Sequence, residues 1–288
     1  MYMLIDFLAI TMAMDPYFVV GPDKTYDAPP HLAWLPSILI LWVRQLMSLA
    51  AFYAAISGMM TLHAVLQYYL VPYIFPVRDQ LWHYPSINGS FYTVLDRGLA
   101  GWWGQWWHQT FRAQFLAPAT YLLRQGYTRK GEALSAIVAL IISFGQSGML
   151  HGFGSITSIP ETRPWRAPLF FGLQPVGLIL EFALTTALPK DVFGPGTELQ
   201  ERAPTFLGRG LTRQLCNFAF ALLWVQWTSI FFCDDIASTG LWLCDPLPFS
   251  PLRMLGFGRP DDRWWRWERQ HFPNWYTGAH WWESGLAM

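Results

Sequence analysis

The sequence predicts an all-α fold, a polytopic helical bundle embedded in a membrane, on three observations. Charged residues fill only 13% of its 288 positions, about half the ~25% usual for a soluble domain. Apolar residues reach 53%, with 17 tryptophans among them. Finally, Gln45–Val77, Ala133–Pro160 and Gln214–Cys233 contain no Asp, Glu, Lys or Arg. Each run is long enough for the roughly 20 apolar residues that a helix needs to cross a bilayer.

Taken in chain order, "MLIDFLAITMAM" near the start and "LPSILILW" before Arg44 predict two weaker helices. The three uncharged runs predict strong ones, and "APLFFGLQPVGLILEFALTTAL" (167–188) is a further span interrupted by Glu181. An ionisable group at that depth is costly unless it faces protein or water. Four to six membrane helices are therefore expected, in one membrane domain covering 1–288. Polar connections fall at 78–98, 124–132, 160–166 and 189–213; the last, rich in Pro, Gly and both charge signs, reads as an exposed loop. In the segment 228–288, "DDRWWRWERQHFPNWY" alternates charge with indole, a pattern suited to the water–lipid boundary or to folding over the mouth of the protein. The opening stretch lacks a basic n-region and carries Asp6, so it is not read as a signal peptide.

A net charge of zero gives no basic face for nucleic acid; the partner that composition implies is the lipid bilayer. Cys216, Cys233 and Cys244 have neither CxxC nor metal-ligand spacing, and no metal site is expected.

Two histidines stand out. In "GWWGQWWHQTFR" (101–112), read as a helix at 100° per residue, Gln105, His108, Gln109 and Arg112 form a narrow polar stripe beside four tryptophans. Periodicity alone leaves open whether this is a boundary anchor or one wall of a reaction chamber. In "LSAIVALIISFGQSGMLHGFGS" (134–155), Ser143, Ser147 and His151 share one face at i, i+4 and i+8. An ionisable imidazole at the end of a membrane helix is a functional-site candidate, and burial favours its neutral, proton-accepting form.

"WWGQWWHQTFR" (102–112) followed by "FGQSGMLHG" (144–152) resembles the two signature segments of the membrane-bound O-acyltransferase superfamily, specifically its wax-synthase-like branch of fungal secondary-metabolite acetyltransferases. The order matches, His108 and His151 lie 43 positions apart, and the similarity extends over about 46–227. The resemblance implies transfer of an acyl group from acyl-CoA, acetyl-CoA in the first instance, to the hydroxyl of a lipophilic, terpenoid-type alcohol in the endoplasmic reticulum. It implies no bound cofactor. His151 matches the catalytic base. His108 matches the second signature position, orienting the thioester carbonyl or stabilising its oxyanion, with Gln109 and Ser147 as orienting neighbours. Coenzyme A carries phosphates, for which Arg112, Arg124, Arg129 and Lys130 are the candidate contacts; cations beside membrane helices also suit lipid headgroups. Phe153, Trp103 and Trp227 are expected to shape an apolar acceptor pocket. Fewer helices precede the Trp-rich segment than the family usually has, so the opening is read as a point inside the family's domain.

The rival reading is a membrane terpene cyclase, with "CDDIAS" (233–238) and "PDDRWW" (260–265) as paired aspartates and indoles stabilising carbocations. A magnesium-binding motif needs a further acid about one turn on, where this chain has Ser238 and Trp265. A non-catalytic transporter would show paired repeats of interrupted helices, and none is visible.

Overall fold

The computed structural model describes residues 1–22, 28–75, 80–158, 161–189, 192, 194–195, 207–268 and 272–287. The chain forms α1 (Tyr2–Ala13), α2 (Pro16–Val19), α3 (Ser37–Leu70), α4 (Tyr92–Gly101), α5 (Arg112–Arg124), α6 (Ala133–Ile156), α7 (Arg166–Ala187), α8 (Leu207–Ser238) and α9 (Pro251–Met254). A short antiparallel hairpin, β1 (Asn274–Tyr276) with β2 (Gly285–Ala287), follows. Four stretches are long and apolar enough to cross a membrane: Ser37–Tyr73, Ala133–Ile156, Arg166–Ala187 and Gly210–Ser238. The all-α membrane architecture is as the sequence predicts. Most of the 189–213 connection lies outside the described residues.

The two weaker helices turn out differently. "LPSILILW" is the first part of α3, which runs unbroken through Arg44 for 34 residues, about 50 Å at 1.5 Å per residue. The charge does not end the helix because it is matched: Arg44 Nε and Nη2 each donate to Asp15 at 2.7 Å, and the guanidinium lies 5.1 Å from the Tyr17 ring centre. "MLIDFLAITMAM" does fold as a helix, but its 12 residues reach only about 18 Å, too short to span. Its buried Asp6 accepts from Leu252 N–H at 2.9 Å, and Tyr2 Oη donates to the Phe249 carbonyl at 2.5 Å. The segment after α8 is thus fastened to α1, where buried Arg253 contacts Asp245 and Asp262.

α4 shows why Glu181 stands inside a membrane span. The helix breaks at Gly98, whose φ of 58° and ψ of −131° lie where side chains are strained but glycine is not. A break inside apolar surroundings strands main-chain donors and acceptors, and each must find a partner. Below the break, Asn217 Nδ2 of α8 donates to the Leu95 and Asp96 carbonyls at 3.0 and 2.9 Å. Arg213 Nη1 reaches the Asp96 carbonyl at 3.0 Å and its carboxylate at 2.7 Å. Above it, Glu181 of α7 accepts from Leu99 N–H at 2.6 Å and Ala100 N–H at 2.8 Å. A Cβ on Gly98 would run into the Glu181 carboxylate. Val94, Leu99, Trp102, Ala221 and Val225 then form a buried core between α4 and α8.

α6 packs on α7 through Gly148 and Gly152, four apart on one face. A Cβ on Gly148 would stand 2.9 Å from Pro168 Cα, and one on Gly152 would stand 3.0 Å from the Pro164 carbonyl oxygen. Small residues at this spacing let membrane helices approach closely. Gly148→Leu is therefore expected to push α6 off α7 and cost about 1–3 kcal/mol, read as a lower midpoint in denaturant titration in detergent; an unchanged midpoint would remove the seam from the account.

Candidate active site

A cavity of about 720 Å³ opens between α3, the Trp-rich segment, α5, α6, α7 and α8. His108 and His151 both line it. The walls are largely aromatic, with Trp103, Trp107, Phe144, Phe171 and Phe232 among them, and among the described residues no Asp or Glu lines it.

His151 enters from α6. Its ring stacks on Phe171 at 4.9 Å and 9°, and meets the edge of Phe232 at 5.1 Å. Phe171 lies three residues beyond Pro168, so the glycine seam that closes α6 on α7 also sets this stack. Ser143 and Ser147 line the same cavity, as their shared face predicts. Ser143 Oγ also donates to the Phe115 carbonyl at 3.2 Å, and Gln146 Nε2 does so at 2.9 Å, which holds α5 against α6.

His108 arrives by another route than the helix expected over 101–112. Trp102–Trp106 winds as a π turn, closed by Trp107 N–H on the Trp102 carbonyl at 2.8 Å. Trp107 then turns extended, at φ −60° and ψ 147°, and the polar stripe does not form. The side chains expected to make it fold back instead. Gln109 Nε2 donates to the Trp103 and Trp107 carbonyls, while Arg112 Nη1 donates to the Gly104 carbonyl and to Gln109 Oε1. They satisfy carbonyls that the end of a helix leaves open. The segment is also pinned from outside: Gln109 N–H donates to the Ile87 carbonyl at 2.8 Å and Gly89 N–H to that of Trp106 at 3.1 Å. His108 therefore sits on a fixed turn. Its ring lines the cavity, with Nδ1 buried and without a hydrogen bond.

Burial lowers the pKa of His108 below its ordinary value near 6.5, because the charged ring loses hydration. The unfolded chain then binds this proton more readily than the folded one. The folded state loses stability as pH falls below about 6.5, and above that pH neither form is charged and the contribution vanishes. Heating in detergent at about pH 7.5 and about pH 5.5 is expected to show that decline, reduced in His108→Gln; an equal decline in both proteins would contradict it.

The remaining predicted residues divide. Arg112 lines the cavity; Arg124, Arg129 and Lys130 do not, and all three are exposed at the other end of α5 and beyond it. With both amide hydrogens engaged on carbonyls, Gln109 braces the turn rather than offering a donor to the cavity. Trp103 is a cavity wall, its Nε1 donating to Gln174 Oε1 at 3.1 Å. Phe153 and Trp227, 63% and 66% exposed, face outward and take no part in the lining. Gln174 and Glu181 were not anticipated as site supports. Glu181 carried a visible signal, a charge inside a span, whereas Gln174 carried none.

The aspartates of the rival reading have other uses. Asp234 receives Tyr17 Oη at 2.7 Å and Arg166 Nη1 at 3.3 Å, and Asp235 accepts from Arg163 N–H at 2.8 Å. Asp262 faces Arg253 and Arg266. None of these carboxylates lines the cavity.

Fold and site together define an integral membrane protein with a histidine-bearing apolar cavity. Residues 84–173 match the Membrane bound O-acyl transferase family. The matched stretch contains both histidines, and it supports a place in that superfamily and a membrane O-acyltransferase in general. No curated protein and no solved structure matches the chain.

Proposed function

We propose that the protein is an O-acyltransferase that moves an acetyl group from acetyl-CoA to the hydroxyl of a hydrophobic, terpenoid-type alcohol of secondary metabolism, in the endoplasmic reticulum. The observation that carries this reading is two imidazoles, from separate segments, on one apolar cavity that, among the described residues, no carboxylate lines. The acetyl donor and the acceptor class follow from the resemblance of 102–112 and 144–152 to the wax-synthase-like branch.

In this reading His151 accepts the hydroxyl proton as the alcohol oxygen bonds to the thioester carbonyl carbon. General base catalysis of this kind is worth about 10²–10⁴-fold. The carbonyl π electrons move to oxygen, and His108, in the tautomer whose N–H faces the cavity, donates to the oxyanion. One such donor is worth about 10²–10³-fold in a dry site. As the carbonyl re-forms, the carbon–sulfur bond breaks and the thiolate of coenzyme A takes the proton from His151. Ester and free thiol leave, and the protein returns unchanged. Arg112, at the cavity, is the cation placed for a coenzyme A phosphate, while Arg124, Arg129 and Lys130 suit headgroups.

The test is product mass. Microsomes containing the protein are given isotopically labelled acetyl-CoA with a panel of apolar alcohols, and separately a polyprenyl diphosphate. Labelled ester is the expected product; a cyclised hydrocarbon from the diphosphate, with no ester from any alcohol, would replace this reading by the cyclase.

A further inference from the structure

We propose that Glu181 is a positioning residue of the site, which fixes where His108 stands by capping the short helical platform that carries it. The proposal rests on the acyltransferase reading for its rate measurements, though not for its geometry.

The platform runs from Leu99, just past the Gly98 break, to the π turn ending at Trp106. A helix start presents unsatisfied N–H groups and a partial positive charge, both met best by a carboxylate. Glu181 supplies one, with an oxygen on each of the first two N–H groups at 2.6 and 2.8 Å. At the other end Gln109 and Arg112 take up the carbonyls. So short a helical piece is not stable alone, and its position is that of its attachments.

Those attachments converge on α7. Gln174, which holds the Trp103 indole at 3.1 Å, and Glu181 stand at i and i+7, two turns apart on one face. Gln174 is itself fixed, its Nε2 donating to the Phe170 carbonyl at 2.9 Å and to Thr228 Oγ1 of α8 at 3.2 Å. α7 also carries Phe171, on which His151 stacks. One helix therefore sets the location of both imidazoles, His151 through ring packing and His108 through the capped platform. In Glu181→Gln one oxygen becomes an NH₂ group that faces an N–H, so one cap bond turns repulsive and the platform shifts.

The experiment is a double-mutant cycle in the full chain, in microsomes. Glu181→Gln is expected to lower kcat about 10–100-fold, as misplacement by about an ångström can, with KM for acetyl-CoA within about twofold. Glu181→Asp, which keeps the charge, recovers part of the rate. On a His108→Ala background, Glu181→Gln should cost almost nothing more, because the group it positions is gone. A second readout needs no turnover: diethyl pyrocarbonate labelling of each histidine by mass spectrometry. Labelling of His108 should change several-fold in Glu181→Gln, and that of His151 by less than about twofold. Losses that multiply across the cycle, with unchanged labelling of His108, would reduce Glu181 to a fold-stabilising group. Should Glu181→Gln not survive extraction, Glu181→Asp carries the same cycle with a smaller loss. If no ester forms in the wild type while labelling shifts as expected, the acyltransferase reading falls and the positioning role stands.

Discussion

Replacement of His151 by alanine is expected to lower ester formation by about 10²–10⁴-fold while barely altering the stability of the protein. Size and selectivity of the loss have one origin. Among the described residues the chamber offers no carboxylate to take over as base, and His108 approaches from a different segment. The hydroxyl proton then has no carboxylate among the lining residues to receive it, in a site whose walls are largely aromatic. Stability holds because His151 already borders open space. Truncating a ring beside an existing cavity enlarges that cavity instead of opening a new void in packed core, and the cost in closed cores comes from such voids. Phe171 and Phe232 still pack against each other at 5.7 Å. Comparing rate and unfolding midpoint for wild type, His151→Ala and His151→Gln decides the matter. Full activity in either variant removes His151 from the chemistry, and loss of rate together with loss of fold makes it structural.

Arg213→Ala is expected to produce the largest loss of stability, about 3–5 kcal/mol. Arg213 is 4% exposed, and its Nη1 alone serves the Asp96 carboxylate, the Asp96 carbonyl and the Gly194 carbonyl, at 2.7, 3.0 and 3.0 Å. Removing it takes away the positive charge 2.7 Å from a carboxylate with 12% side-chain exposure, and leaves a broken helix with one cap fewer. Another partner, Arg97 at 3.8 Å, is half exposed and screened by water, so that pair contributes little. Combining Asp96→Asn with Arg213→Leu removes both charges and should restore more than half of the loss. Denaturant titration in mixed micelles measures it. A loss below about 1 kcal/mol for Arg213→Ala would show that the cluster holds no strain of charge.

The membrane spans were legible because hydrophobic length is a local property. Each uncharged run became a helix, and Glu181 was visible as a cost awaiting a partner. The merging of "LPSILILW" into α3 was not, since what allows Arg44 inside that helix is Asp15, 29 positions earlier. The two histidines could be marked from their segments, but not the path of the chain to His108. A 100° periodicity assumes a four-residue hydrogen bond throughout, and Gln109 and Arg112 defeat it by bonding backwards to carbonyls. The cations show the same limit: all four sit together in sequence, yet one helix of 13 residues separates Arg112 from the others. Gln174 illustrates the far end of the scale, an ordinary glutamine whose importance exists only once Trp103 and Thr228 arrive from elsewhere.

The π turn at Trp102–Trp106 amounts to one surplus residue in an otherwise ordinary coil of chain. Deleting any single position between Trp102 and Trp107 would leave the same N–H four residues after the same carbonyl, closing an ordinary α turn with everything after it still in place. A sequence differing from this one by a lone gap in that stretch would therefore present the shared imidazole to the same compartment, the gap costing only the wider turn.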